Sequence, residues 1–205
     1  MTEKEEKRER ILKAALDIFS GKLFHQVKMD EIAVQAGVGK GTLYLYFENK
    51  EHLFREAFKY AMELYFSRLL EALEEELTPR EKLQKVAFLH LNYLKEYLKV
   101  IYLLVGESMA PHFILQEEIL KIRRKTVALL QDIMEEGVRR GEFRPLDTSL
   151  AARIYLGGIV TLMHDEFCEE GDSGDEESIT GEFAGLFFLG FNAREQETGQ
   201  GGMES

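Results

Sequence analysis

The chain has 205 residues, 45% of them hydrophobic and 31% charged, with 14 Phe and a formal net charge of −11 at pH 7. This apolar content excludes an unfolded polymer and suffices for one large core or two small ones. One cysteine, Cys168, excludes an intrachain disulfide and fits a reducing compartment, while the longest uncharged runs, Ile154–His164 and Phe183–Ala193, are too short to span a bilayer.

The N-terminal segment MTEKEEKRER is charged and lacks the apolar stretch of a secretion signal. A first helix is expected over Glu5–Phe19, with Ile11, Leu12, Ala15, Ile18 and Phe19 on one face. A loop, Gly21–Val27, follows. Asp30–Lys50, DEIAVQAGVGKGTLYLYFENK, then reads as two short helices broken at one turn. Ile32, Ala33 and Ala36 share a helical face, and Gly37 suits a left-handed helix-ending position. Gly39, Lys40, Gly41, Thr42 and Tyr44 open a second helix whose first turn is small, cationic and polar. Such an end can enter a major groove and offer donors to phosphates and bases. Lys40 is the only charged residue between Ile32 and Phe47, so no carboxylate within that stretch repels DNA.

Asn49 is placed to cap a long fourth helix with Leu53, Phe54, Ala57, Phe58, Ala61, Leu64, Tyr65 and Leu69 as its apolar stripe. The acidic Glu71–Glu76 ends it. Thr78-Pro79-Arg80-Glu81 combines a cap threonine, a first-turn proline and a glutamate that can reach back, predicting a helix to about Tyr97. Val100–Gly106 is expected as a separate short helix. A long helix should run from Pro111 to about Arg140, stopped by Gly141, and another should start at Asp147 and pass through Ala151, Ala152, Tyr155, Ile159 and Met163. Glu166–Glu182 is acidic and glycine-bearing, a loop or frayed helix end. Ser178–Asn192 is a last apolar helix, and 193–205 is expected to be a disordered tail. The fold class is therefore all-α: a three-helix N-terminal unit (1–50) and a larger helical unit (51–192). The charge divides the same way, +1 over residues 1–50 and −12 over 51–205, so the acidity sits in the part that need not touch DNA.

The pattern Ile32-Ala33, Ala36-Gly37-Val38, Lys40-Gly41-Thr42-Leu43-Tyr44, Tyr46-Phe47 and Asn49-Lys50-Glu51 with Leu53 resembles the tetracycline-repressor (TetR) family of bacterial regulators. With the first helix, the resemblance covers about a quarter of the chain; the turn YLYFENKE more weakly resembles the fatty-acyl-CoA-responsive branch. It implies a helix-turn-helix DNA-binding domain, and a ligand-binding domain whose last two helices pair with their copies. It implies a cytoplasmic, homodimeric repressor of a double-stranded DNA operator, released by a small apolar effector, possessing no enzymatic activity and bound to no membrane. Where the family usually has a threonine pair, this chain has Val27 and Lys28; Gly39 replaces a common serine and Leu45 a common second tyrosine.

Candidate DNA contacts are Lys40, Gly41, Thr42, Tyr44, Tyr46 and Lys50; the alternative for Tyr44 and Tyr46, as for Phe47, is packing within the small domain. Candidate ligand contacts are Phe58, Met62, Tyr65, Phe88, Tyr93, Tyr97, Tyr102, Met109, Phe113, Met134 and Tyr155, since adaptable Met and aromatic walls suit apolar ligands; most of these also fit ordinary core. Candidate dimer residues are Tyr155, Gly158, Ile159, Leu162, Phe183, Leu186, Phe187 and Gly190. Glycine within a helix costs about 1 kcal/mol, which close packing would offset, either across a dimer or inside one chain's core. Lys121–Lys125, KIRRK, fits a solvated face or, less well, a site for an anionic head group. His164 and Cys168 are too few for a metal site, and Gly106–Ala110 breaks the nucleophile-elbow pattern at Ala110, so no metal, cofactor or catalytic set is expected.

Overall fold

The computed structural model describes residues 2–74, 76–105, 110–168 and 176–191, with side chains described for 2–74, 76–92, 114–162 and 181–188. Every long element among them is an α-helix. α1 spans Glu3–Gly21 and begins two residues before the expected start, because Thr2 and Glu5 form a capping box: Glu5 N–H donates to Thr2 Oγ1 (3.3 Å) and Thr2 N–H to Glu5 Oε2 (2.6 Å). A 3₁₀ turn, Phe24–Gln26, leads to α2 (Met29–Gln35) and α3 (Lys40–Tyr46). Neither short helix has a side-chain cap, as Lys28 and Gly39 stand at the cap positions. Between them Gly37 has φ +64°, and Val38 N–H donates back to Ala33 O at 3.0 Å. A Cβ in that left-handed region is strained, so the glycine sets the turn.

α4 spans Lys50–Ala72, capped by Asn49 Oδ1, which accepts from His52 N–H at 2.7 Å. α5 spans Pro79–Val105 and starts at the expected capping box between Thr78 and Glu81. It is one continuous backbone helix, not two: nothing between Tyr97 and Val105 is glycine or proline, so nothing breaks the ladder. α6 spans Ala110–Arg139 and stops where Gly141 takes φ +75°. α7 (Thr148–Cys168) is capped by Asp147, whose Oδ1 accepts from Leu150 N–H at 2.9 Å. α8 spans Glu176–Phe191. Residues 193–205 lie outside the described residues.

α5 is the hub, packing against α1, α4, α6, α7 and α8. A contiguous apolar core runs from Ile11, Leu12 and Phe19 through Phe54 and Ala61 to Leu83, Leu130, Ala152 and Phe188. At its N-terminal end the rings of Phe19, Phe24 and Phe54 meet at 4.8–5.9 Å. Lys50 straps the same corner: its Nζ donates to Phe24 O (2.8 Å) and Val27 O (3.1 Å) and lies 4.5 Å from the Phe24 ring centre.

A hydrogen-bonded polar pair lies inside the larger unit. The Tyr65 hydroxyl is hydrogen-bonded to His90 Nδ1, and both residues are buried. Burial lowers the His90 pKa from 6.5 to about 4, opposed by a backbone hydrogen bond with Val86. Burial likewise raises the Tyr65 pKa, so both groups are neutral.

Two outcomes are expected. A neutral buried histidine stabilises the fold above its unfolded pKa, and that contribution is lost as pH falls from 6.5 to about 4. In urea unfolding across that window, wild type should lose up to about 3 kcal/mol more than a Tyr65→Phe/His90→Leu double variant. Lys50→Ala removes two charge-assisted hydrogen bonds and should lower the unfolding free energy by about 1–3 kcal/mol, read by the same method at neutral pH.

Candidate nucleic-acid interface and effector unit

α3 is anchored by Leu43, which is fully buried, and by Phe47 just beyond its end. This fixes which side faces out. Lys40, Gly41, Tyr44 and Leu45 are exposed, while Thr42 and Tyr46 are half-buried. Gly41 has open space above its Cα, so its backbone can be approached closely. Lys40 Nζ sits 2.8 Å and 2.9 Å from the two Asp30 oxygens, and that hydrogen bond and charge raise its pKa. Lys22 similarly pairs with Glu31 at 2.8 Å. To reach a phosphate, Lys40 would exchange a carboxylate on α2 for it, a swap of partners in water that costs little.

The other sequence-predicted contacts divide. Gly41 and Tyr44 are exposed on the outer side of α3, with the half-buried Thr42 at its other edge. Tyr46 packs against the core, with its ring 6.3 Å from that of Phe47. Lys50 has two of its three donors turned inward onto the 24–27 turn, leaving one for a phosphate. Lys50 thus acts as a strap on the fold, donating to carbonyls of the 3₁₀ turn and its end. Leu45, absent from the predicted set, is 85% exposed.

In the larger unit, Phe58, Met62, Tyr65, Met134 and Tyr155 are buried together in the core, whereas Phe88 is partly exposed. Tyr93, Tyr97, Tyr102, Met109 and Phe113 lie outside the residues whose side chains are described, as do His164 and Cys168. Of the KIRRK cations, Lys121 pairs with Glu117 at 2.9 Å and Lys125 lies 5.7 Å from the Phe66 ring centre, which fits a solvated helix face.

The dimer candidates are divided by α7 itself. Tyr155 and Ile159 are fully buried within the chain, and the Tyr155 hydroxyl donates to Leu83 O at 2.9 Å. A Cβ on Gly158 would stand 2.6 Å from Phe183 Cε2, so this glycine makes room for the chain's own α8. Within one chain, therefore, Tyr155 and Ile159 face the core, while the half-buried Gly158 faces α8. The reason is helical phase: the outward residues at the same turns are Leu150, Ile154, Gly157 and Val160. On α8, Leu186 is 73% exposed, and Phe183, Phe187 and Leu162 are partly exposed. The surroundings of Gly190 lie outside the described residues. No helix among the described residues is long and apolar enough to cross a membrane, and no group of three or more potential metal ligands is present among them.

Comparison with known proteins agrees with this architecture at both ends of the chain. Residues 11–57 match the family model described as bacterial regulatory proteins, tetR family, and residues 76–189 match that of the tetracyclin repressor-like C-terminal domain. The chain is 32% identical over 160 residues to the fatty acid metabolism regulator protein of Bacillus subtilis, covering 78% of this chain and 82% of that protein. A crystal structure of the transcriptional regulator FadR from Bacillus subtilis in complex with stearoyl-CoA superimposes with a TM-score of 0.69 at 28% identity, over 89% of this chain and 98% of that one. The fold is also that of the fatty acid degradation regulator FadR from Bacillus halodurans, with a TM-score of 0.73 at 24% identity over 89% and 94% of the two chains. A glycine-set turn, an outward-facing α3 and matches on both halves make this chain a DNA-binding transcriptional regulator of the tetracycline-repressor (TetR) family.

Proposed function

We propose that the protein is a cytoplasmic homodimeric repressor that leaves its operator when a long-chain fatty acid or acyl-CoA binds. Residues 1–50 bind DNA, and residues 51–192 dimerise and hold the effector. The observation that carries this reading is the likeness to the stearoyl-CoA-bound FadR along 98% of that chain, on a core of aromatic, Met and branched aliphatic side chains suited to an acyl tail. The outward residues of α7 and α8 support dimerisation. Ile154 is 54% exposed and Leu186 73%, on helices whose opposite sides are buried in the chain's own core, and a second copy would cover them.

An effector displaces DNA only by binding the DNA-incompetent arrangement of the dimer more tightly than the competent one. A coupling of about 1–3 kcal/mol changes operator affinity roughly 5- to 150-fold. In fluorescence anisotropy with the DNA upstream of its own gene, the protein should bind a near-palindrome whose half-sites lie about 34–36 Å apart, or a multiple of that. Stearoyl-CoA should weaken that binding within this range and raise the melting temperature. If apolar compounds leave both unchanged while a sugar releases the DNA, the effector assignment is wrong and the DNA-binding half stands.

The dimer surface is tested by two variants in analytical ultracentrifugation. Ile154→Lys should give a folded monomer at micromolar concentration. Gly158→Leu should instead destabilise the chain itself by about 1–3 kcal/mol through overpacking against Phe183. Wild type sedimenting as a monomer at that concentration would end the dimer reading.

A further inference from the structure

At about 100° per residue, Gly41 and Leu45 each lie about 200° from the buried Leu43, so they occupy the middle of the outward side of α3. Tyr44 and Thr42 flank them. Gly41 presents no side chain, and nothing stands within 4 Å of where its Cβ would be. Leu45 is therefore the side chain that projects furthest from the centre of this face. At 85% exposure it is the most exposed large hydrophobic residue described, and it supports nothing in the fold. An isobutyl group held in water at the centre of a helix that enters DNA gains apolar contact only from the partner.

We propose that Leu45 reads the C5-methyl group of a thymine on the floor of the operator's major groove. The inference rests on the reading that α3 enters that groove. Leucine has neither donor nor acceptor, so it cannot distinguish the polar edges of the bases. Thymine's methyl is the apolar group that the four base pairs display on the major-groove edge. The bare backbone at Gly41, one turn away on the same side, lets α3 approach closely enough for a four-carbon side chain to reach it. The neighbouring hydroxyls of Thr42 and Tyr44 can make polar contacts, which leaves the apolar one to Leu45. Leu45 carries no charge, so it adds sequence preference without changing the salt dependence of binding, unlike Lys40.

The test uses the full-length protein and the duplex it enriches from a random-sequence pool. Each thymine of that duplex is replaced singly by deoxyuridine, which removes the methyl and leaves the hydrogen-bonding edge intact. Affinities are measured by fluorescence anisotropy at fixed salt for wild type, Leu45→Ala and Leu45→Met. One thymine position per half-site should weaken wild type about 3- to 5-fold on losing its methyl, the value of one buried methyl group. The same substitution should leave Leu45→Ala unaffected and still weaken Leu45→Met. Because Leu45 is exposed, Leu45→Ala should keep the wild-type melting temperature. If the enriched duplex has no thymine whose methyl separates wild type from Leu45→Ala, the role given to Leu45 is wrong while groove entry stands. If wild type enriches no sequence, groove entry itself fails and the proposal with it.

Discussion

The contact on which the DNA-binding unit depends is the meeting of Phe19, Phe24 and Phe54. α2 and α3 are seven residues each and bury little surface of their own. They hang from a three-residue 3₁₀ turn that has no ladder to hold it. The edge-to-face contacts of Phe54 with Phe19 and Phe24, at 4.8 Å and 5.2 Å, clamp that turn between α1 and α4. Lys50 closes the same corner from the polar side. These rings join α1 and α4 to the turn that leads into α2 and α3.

The seam between α4 and α6 is of another kind. Arg55 Nε donates to Ile114 O at 3.4 Å, Lys59 lies 3.6 Å from Glu118, and Lys125 sits over Phe66. These three contacts join residues at one constant separation in sequence, so the two helices run parallel and in register. On the other side Glu56 accepts from Arg8 of α1 at 2.6 Å and from Lys59 at 2.8 Å, and those charges lower its pKa against the effect of burial. Such partly exposed pairs contribute at most about 1 kcal/mol each to stability. Their role is alignment, whereas the apolar contacts of α5 supply the cohesion.

Local chemistry was legible in the sequence wherever one or two residues decide the backbone. Gly37, Gly141, Asn49, Asp147 and the Thr78–Glu81 box all act as their residue types require, because caps and left-handed turns are properties of a few neighbours. The α5 continuity was less legible, since an apolar run with a weak periodic break resembles a helix end until its backbone is seen. α7 was misleading about direction. Its middle has branched or aromatic residues on both sides, with Ile154 and Val160 outside and Ile159 and Tyr155 inside, so composition there cannot separate the inner face from the outer one. Lys50 is a long-range case: its partners are about two dozen residues earlier in the chain, and no spacing rule points to them.

The length of α4 has a mechanical consequence. Its 23 residues make a rod about 34 Å long, with one end locked into the aromatic clamp and the other seated in the larger unit's core. A tilt of one degree about the far end displaces the clamped end by roughly 0.6 Å over that span. In the proposed dimer, two copies related by a twofold axis would tilt in opposite senses, so the spacing of their α3 helices would change by up to twice as much. A rotation of a few degrees would then shift the two α3 helices of that dimer by several ångströms relative to each other. The lever arm is set by a helix length, not by the strength of any one contact.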